Sequence, residues 1–281
     1  MIPDKGDRSI NVTVAAVCAG FQSVGASAGD TVIYHGSLSS MGMVEGGADA
    51  VIEGVRQAVG PQGTVAMPTL WYHGAEPPLD PADWDIDNSP SYVGRLSEVF
   101  RTHPESVRSD HFSHSVSAIG ARAQELVADH GAGGLHPTPW CPGAFADVSP
   151  WQRLYDWNAL YCFIGVTFRV LTMKHYMEAR IVEEALQGLA PEAREAFTAE
   201  LSFIGRDGVW AFFNSETLEE RLAELGLVRY GKIGSATLRA IPTRELVDTA
   251  MPMLRDRAGG WFGEAFLDWW DRAKAEERPD V

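Results

Sequence analysis

Apolar residues recur along this chain in two rhythms. Residues 31–34, Thr-Val-Ile-Tyr, are β-branched or aromatic without a charge, the pattern of a buried strand. Residues 160–166 have the same character, and 64–68 predict a shorter strand. Elsewhere apolar positions fall three and four apart. In 47–59, Ala48, Val51, Ile52, Val55 and Val59 share one helical face, and Gly60-Pro61 ends the helix. The same spacing predicts helices over 12–24, 92–103, 119–130 and 172–187, then irregular and helical chain over 190–223. A strand hairpin is expected over 224–241, and a last helix from Thr243, with Glu245 in its first turn. The tail after Asp268 mixes acids with Lys and Arg and predicts a solvated helix end. Two stretches break the rhythm, a Pro/Asp-rich loop over 73–91 and a Gly/Pro-rich one over 131–143. The first is long enough to border a binding cleft. Strands alternating with helices predict an α/β fold: a mixed central β-sheet flanked by helices, with a C-terminal antiparallel hairpin portion. The expected unit is one domain over 1–281, its core about 13–254, with no internal repeat.

Composition narrows the classes. With 45% apolar residues the chain can bury a large core, and no apolar run is long enough to cross a membrane. The polar start, MIPDKGDRSI, lacks a secretion signal, so a cytoplasmic location is expected. Cys18, Cys141 and Cys162 lack pair spacing and predict reduced thiols; Cys162, in LYCFIGV, reads as a small hydrophobe. A formal charge of −15 argues against a nucleic-acid partner, because phosphate contacts need clustered Lys and Arg. A negative field draws in cations, and it also serves solubility alone. Monomer and homodimer both remain open.

Three stretches carry candidate chemistry. Residues 108–120, RSDHFSHSVSAIG, place His111 and His114 three apart and Ser115 next, where imidazoles can relay protons or bind metal. Solvated histidines in a polar loop are the plainer reading. In residues 31–42, TVIYHGSLSSMG, a strand runs into a Gly/Ser-rich turn and then toward a helix start at Gly46-Gly47. Such a junction offers backbone N–H groups and hydroxyls to an anion, although a plain βα turn looks the same. It is neither a Walker nor a dinucleotide-binding pattern. In the third stretch Thr172 can cap a helix, which places His175 at its third position and Glu178 on the same face. A carboxylate there can support an imidazole base, or the pair is surface electrostatics. His111, His114, His175 and Glu178 are also ligand types for zinc, so a metal-dependent hydrolase is the alternative class. No HExxH and no G-x-S-x-G occurs.

These stretches, with two others, resemble the aminoglycoside 3-N-acetyltransferase family in matching order from about residue 13 to 254. Residues 35–69 look like its HSSLS…GG…GPxGTxxMPT pattern, and 108–123 like RSxHPxHSxxAxGxxA. Residues 149–155 and 163–180 are similar to SPxxxLY and LGVGxxxNTSLHLAE, and 226–250 to GxxxxGxVGxAxxxLxxxxxLVDxA. The resemblance implies an N-acyltransferase that uses acetyl-coenzyme A or another acyl-CoA, without a metal. It acts on a small-molecule amine, in antibiotic resistance or biosynthesis.

It also implies roles for single residues. His175 is the general base supported by Glu178, and Thr69 is an oxyanion donor. Ser37, Leu38, Ser39 and Ser40 hold the pantetheine or pyrophosphate, with His114 and Ser115 along the thioester. Asp85 meets the substrate amine. Three positions depart from the pattern. Phe112 replaces a proline after His111, Arg169 replaces an acidic residue, and Lys174 replaces a leucine. Arg169 and Lys174 would repel a polycation and favour a carboxylate, phosphate or neutral acceptor if they face the pocket. The plain alternative is that both cations turn to solvent. A divergent member with a non-aminoglycoside acceptor is therefore expected alongside the family's own substrate class.

Overall fold

The structure is a computed structural model that describes residues 6–72, 79–256 and 260–278. Its strands are β1 (Asn11–Val12), β2 (Thr31–Gly36), β3 (Met43–Val44), β4 (Thr64–Pro68), β5 (Val107–Arg108), β6 (Val116–Gly120), β7 (Leu160–Ile164), β8 (Arg229–Ile233) and β9 (Ala236–Pro242). The helices are α1 (Val14–Ser23), α2 (Gly47–Val59), α3 (Arg95–Arg101), α4 (Ala123–Val127), α5 (Pro150–Asp156), α6 (Met173–Leu186), α7 (Pro191–Ala199), α8 (Ser215–Glu224), α9 (Thr243–Arg255) and α10 (Glu264–Ala275). Seven strands form one mixed sheet in the order β5-β6-β4-β2-β7-β9-β8. The central three, β4, β2 and β7, run parallel, while β6 and β9 flank them antiparallel. The expected fold class is the one observed.

Burial on both faces explains why β2, β4 and β7 are uninterrupted apolar runs. Val32 and Tyr34 join α1 and α2 in one core, whereas Ile33, Tyr161 and Phe163 face the other helices in a second. Helices α1 and α2 cross closely at Gly54, where an added Cβ would stand 2.5 Å from Val17 Cβ. Any side chain there would force the two helices apart.

The strand directions place the functional segments. Ligands of open α/β sheets gather outside the carboxyl ends of parallel strands. Residues 37–40, 69–72 and 165–172 leave those ends of β2, β4 and β7. Because β6 runs the opposite way, its start lies at the same edge and brings 111–115 there too.

Several expected elements are corrected. The helix expected over 119–130 is the end of β6 followed by the short α4; the Val116–Ile119 alternation pairs with β4, and Gly120 turns the chain at φ 125°. The expected 92–103 helix shortens to α3. Thr172 does not cap α6 with its side chain, since its φ and ψ are already helical. The tail is not a solvated helix end: α10 buries Phe266, Trp269, Trp270 and Ala273, so the core extends beyond residue 254. Residues 73–78 of the expected 73–91 loop lie outside the described residues. Among the described residues no helix is long and apolar enough to cross a membrane.

Candidate active site

The carboxyl edge of the sheet opens into a cavity of about 380 Å³. Its lining includes His35 from β2, Ser113 and His114 ahead of β6, Trp140, and Arg169, Lys174 and His175 around the start of α6. A larger surface groove, about 560 Å³ near Glu53, Arg56 and Glu105, contains none of the candidate catalytic, cofactor or substrate residues.

His175 stands on the first turn of α6, and its Nδ1 lies 2.7 Å from Glu178 Oε2. A carboxylate can only accept, so Nδ1 carries a proton, and in the neutral ring Nε2 is the acceptor. The carboxyl group of Glu178 is fully buried and also accepts from Trp210 Nε1 at 3.1 Å. Its other oxygen has no hydrogen bond; Lys174 Nζ, at 3.8 Å, supplies charge without bonding. Lys174 instead donates to the Phe213 carbonyl at 3.2 Å. The result is a buried anion whose field acts on one partly exposed imidazole. His175 packs edge-on to Trp140, with ring centroids 4.5 Å apart, and lies 5.8 Å from the ring of His114.

His114 is sealed. Its Nδ1 meets Ser113 Oγ at 2.9 Å, Trp140 and Phe145 cover its ring, and burial holds its pKa well below the usual imidazole value. His111 Nδ1 accepts the amides of His114 at 3.0 Å and Ser113 at 3.3 Å. Its proton is therefore on Nε2, which faces Cys141 Sγ at 3.0 Å. His130 stacks on His111 at 4.4 Å, and burial lowers its pKa to about 4.

His35 is a residue the sequence reading passed over. Tyr161 OH accepts the Thr172 amide at 3.2 Å and lies 2.8 Å from His35 Nε2, with Thr172 Oγ1 3.4 Å from the same nitrogen. In the tautomer in which these hydroxyls donate to Nε2, the His35 proton is on Nδ1, for which there is no protein partner among the described residues. Burial depresses the pKa of His35 to about 3, so near neutral pH the ring is an uncharged donor on the cavity wall. The available signal was its position at the end of a buried strand, just ahead of the Gly/Ser turn. Trp140 was missed as well, inside a stretch that read only as a Gly/Pro-rich loop.

The cofactor-loop residues fold into one 3₁₀ turn, Leu38–Ser40, after β2. Ser40 Oγ donates to the Ser37 carbonyl at 2.7 Å, and the Ser37 and Ser39 hydroxyls lie 3.2 Å apart. Gly165, with φ 63°, lets β7 end directly against Ser40 Oγ, a contact that any Cβ would destroy.

Comparison with known proteins places this geometry. The profile described as aminoglycoside 3-N-acetyltransferase matches residues 33–255. The chain belongs to the aminoglycoside 3-N-acetyltransferase family. It is 28% identical to aminoglycoside N(3)-acetyltransferase VII of Streptomyces paromomycinus, across 88% of this chain and 93% of that protein. It is 29% identical to the SPbeta prophage-derived aminoglycoside N(3')-acetyltransferase-like protein YokD of Bacillus subtilis (strain 168), across 85% and 90%. Its fold matches the solved structure "AAC-IIIb binary with CoASH" with a TM-score of 0.70 at 22% identity, covering 90% of this chain and 98% of that one. The protein is accordingly an acyltransferase, of the aminoglycoside N(3)-acetyltransferase type.

Against the family pattern, three expected site residues are engaged elsewhere. Thr69 is fully buried, its hydroxyl 2.9 Å from Ser117 Oγ, so it is not presented as an oxyanion donor. Ser115 donates to the Thr69 carbonyl at 2.8 Å and accepts from Arg108 Nε at 3.2 Å, which ties β6 to β4 and turns it from the cavity. Asp85 accepts from the amides of Asp87 and Asn88 and from the Asn88 side chain. These bonds hold its carboxyl below the usual range and close its own turn, and it does not line the cavity. Arg169 and Lys174 do line it.

The four zinc-type residues do not converge. His111 has both nitrogens engaged within the loop, and among the described residues no three His, Cys, Asp or Glu side chains are placed to share a cation.

Proposed function

We propose that the protein transfers an acyl group, acetyl being the simplest, from acyl-coenzyme A to an amine bound in the cavity, with His175 as general base. The observation that carries this is the His175–Glu178 pair: a buried carboxylate fixes the proton on Nδ1 and leaves Nε2 as an acceptor at the cavity wall. An amine reaches the site as ammonium and loses one proton to solvent before it can attack. As its nitrogen bonds to the thioester carbon, His175 Nε2 takes a second proton, and Glu178 stabilises the imidazolium. The tetrahedral intermediate then breaks its C–S bond, and the departing sulfur takes the proton from His175. The amide and free coenzyme A leave, with one proton released overall.

The carbonyl oxygen gains negative charge in that intermediate and needs a donor in place. Thr69 and Ser115 are engaged elsewhere, and the proposed donor is the Nδ1–H tautomer of His35, an uncharged ring on the cavity wall. The Ser37–Ser40 turn and His114 remain the proposed contacts for the coenzyme, on the support of the family pattern and of the neighbouring fold solved with CoASH. Isothermal calorimetry with coenzyme A, followed by thiol release from acetyl-CoA in the presence of amines and mass analysis of the amide, tests the reading. Binding and an acetylated amine are expected. Absence of coenzyme A binding at millimolar concentration overturns it.

A further inference from the structure

The charge of the acceptor is written into the cavity wall. Among the described residues its lining contains no carboxylate: Glu178 is buried behind His175, while Glu216 accepts from the Thr167 hydroxyl and Glu219 from the Phe168 amide, the latter also paired with Arg239. Two cations do line it. Lys174 is held by the Phe213 carbonyl and faces Glu178, so part of its charge is compensated. Arg169 is exposed, sits on a 3₁₀ turn that Thr167 caps, and makes no ion pair among the described residues. The remaining wall combines apolar and aromatic residues, among them Leu70, Tyr72, Trp140 and Leu171, with uncharged polar ones such as Ser113 and Thr172.

A polycation cannot exchange its hydration for such a wall, since a cationic ligand needs carboxylates or carbonyls in return. The overall charge of −15 does not rescue it, because that field is screened within about 8 Å at physiological salt while Arg169 touches the cavity itself. Guanidinium instead matches carboxylate and phosphate through paired, charge-assisted bonds. Resting on the acyl-transfer reading above, we propose that the acceptor is a compact amine bearing an anionic group, carboxylate or phosphate ester, on an apolar or aromatic body. Arg169 binds the anion while the amine faces His175 Nε2.

Thiol release from acetyl-CoA across an amine panel tests this. The panel holds an aromatic amino acid, an amino-sugar phosphate, phenethylamine and gentamicin. One of the two anionic amines is expected to give the highest kcat/KM, and which one tells carboxylate from phosphate. Phenethylamine, a monocation without an anionic group, should follow, and gentamicin should be weakest. In Arg169→Glu the anionic acceptor should lose roughly ten- to a hundredfold in kcat/KM, the scale of one charged hydrogen-bond pair. The loss should fall mainly on KM, and gentamicin should gain. Added salt should raise KM for the anionic amine and leave phenethylamine unchanged, a response that a merely structural Arg169 would not produce. Gentamicin as the best wild-type acceptor, unaltered by Arg169→Glu, overturns the acceptor class and leaves the reaction standing. Coenzyme A binding with no thiol release from any amine overturns the reaction, and the acceptor class falls with it.

Discussion

Two histidine-bearing regions meet at the carboxyl edge of the sheet, and they do opposite work. The segment 108–120 is the richer in chemistry-bearing side chains, yet nearly all of them are turned inward. His111 gathers two amides and faces a thiol, His130 stacks beneath it, and Ser109 and Ser115 bond to backbone. The start of α6 offers one imidazole, but a buried carboxylate orients it and part of its ring is open. An abundance of polar groups marks a loop that needs internal partners because it is buried. Reactivity follows from one group left accessible in a field that nothing else consumes.

The comparison breaks most decisively at His175. His175→Gln keeps approximate size and removes the proton acceptor, and kcat should fall by roughly 10²–10⁴, the usual range for a lost general base. Coenzyme A affinity by calorimetry should stay near wild type. Near-wild-type turnover would move the base to the other region, with His114 the next residue to replace.

His35→Phe keeps the stack on Tyr161 and Phe163 and deletes the proposed donor together with the Nε2 partner of Tyr161 OH. A lost carbonyl donor costs about 10²–10³-fold in kcat. Because His35 protonates only near pH 3, the remaining activity should keep the wild-type pH profile between 6 and 8. A changed profile shape would show His35 to be a titrating group instead.

The inward-turned histidines predict a pH effect on stability rather than rate. His35, His111, His114 and His130 all have depressed pKa values, with burial the largest cause. The unfolded chain binds these protons below about pH 6.5, whereas the folded chain does not, so unfolding gains protons and falling pH favours it. This contribution is fully present above about pH 7. It is lost as pH drops from about 6.5 toward 4, where His130 itself protonates, at about 1.4 kcal/mol per pH unit for each proton taken up. The thermal midpoint should fall steeply over that window, and His130→Gln should make the fall shallower. A flat midpoint from pH 7 to 5 would contradict the neutral assignment.

The layered α/β order was legible because β2 and β7 are apolar on both faces and α2 ends at a glycine. The His175–Glu178 pair was legible too, since helical spacing alone puts i and i+3 together. What failed depended on register or on distant packing. Whether Thr69 and Ser115 face a ligand or each other is decided by the pairing of Pro68 with Val116, which neither segment records. In α10, Phe266, Trp269, Trp270 and Ala273 follow helical spacing, but interleaved charges disguised a buried face as a solvated one. Asp85 read as a ligand because its oxygens are used up by its own turn, through the Asp87 and Asn88 amides and the Asn88 side chain.

The smallest effect on activity is expected at Ser115, and it sharpens the contrast most. Ser115→Ala removes the bond to the Thr69 carbonyl and one partner of Arg108. Arg108 retains carbonyl partners at Ile86, Ser89 and Thr69, so its charge stays solvated by the protein. The Thr69 carbonyl likewise keeps Arg108 as a donor and is not left bare. Stability should therefore drop by about 1 kcal/mol, the net worth of one buried hydrogen bond. Turnover should stay within a few-fold of wild type, with KM for acetyl-CoA unchanged, because the hydroxyl ties two strands and touches no reacting atom. A loss of a hundredfold or more in kcat, with the thermal midpoint preserved, would return Ser115 to the thioester and reverse the division between the two regions.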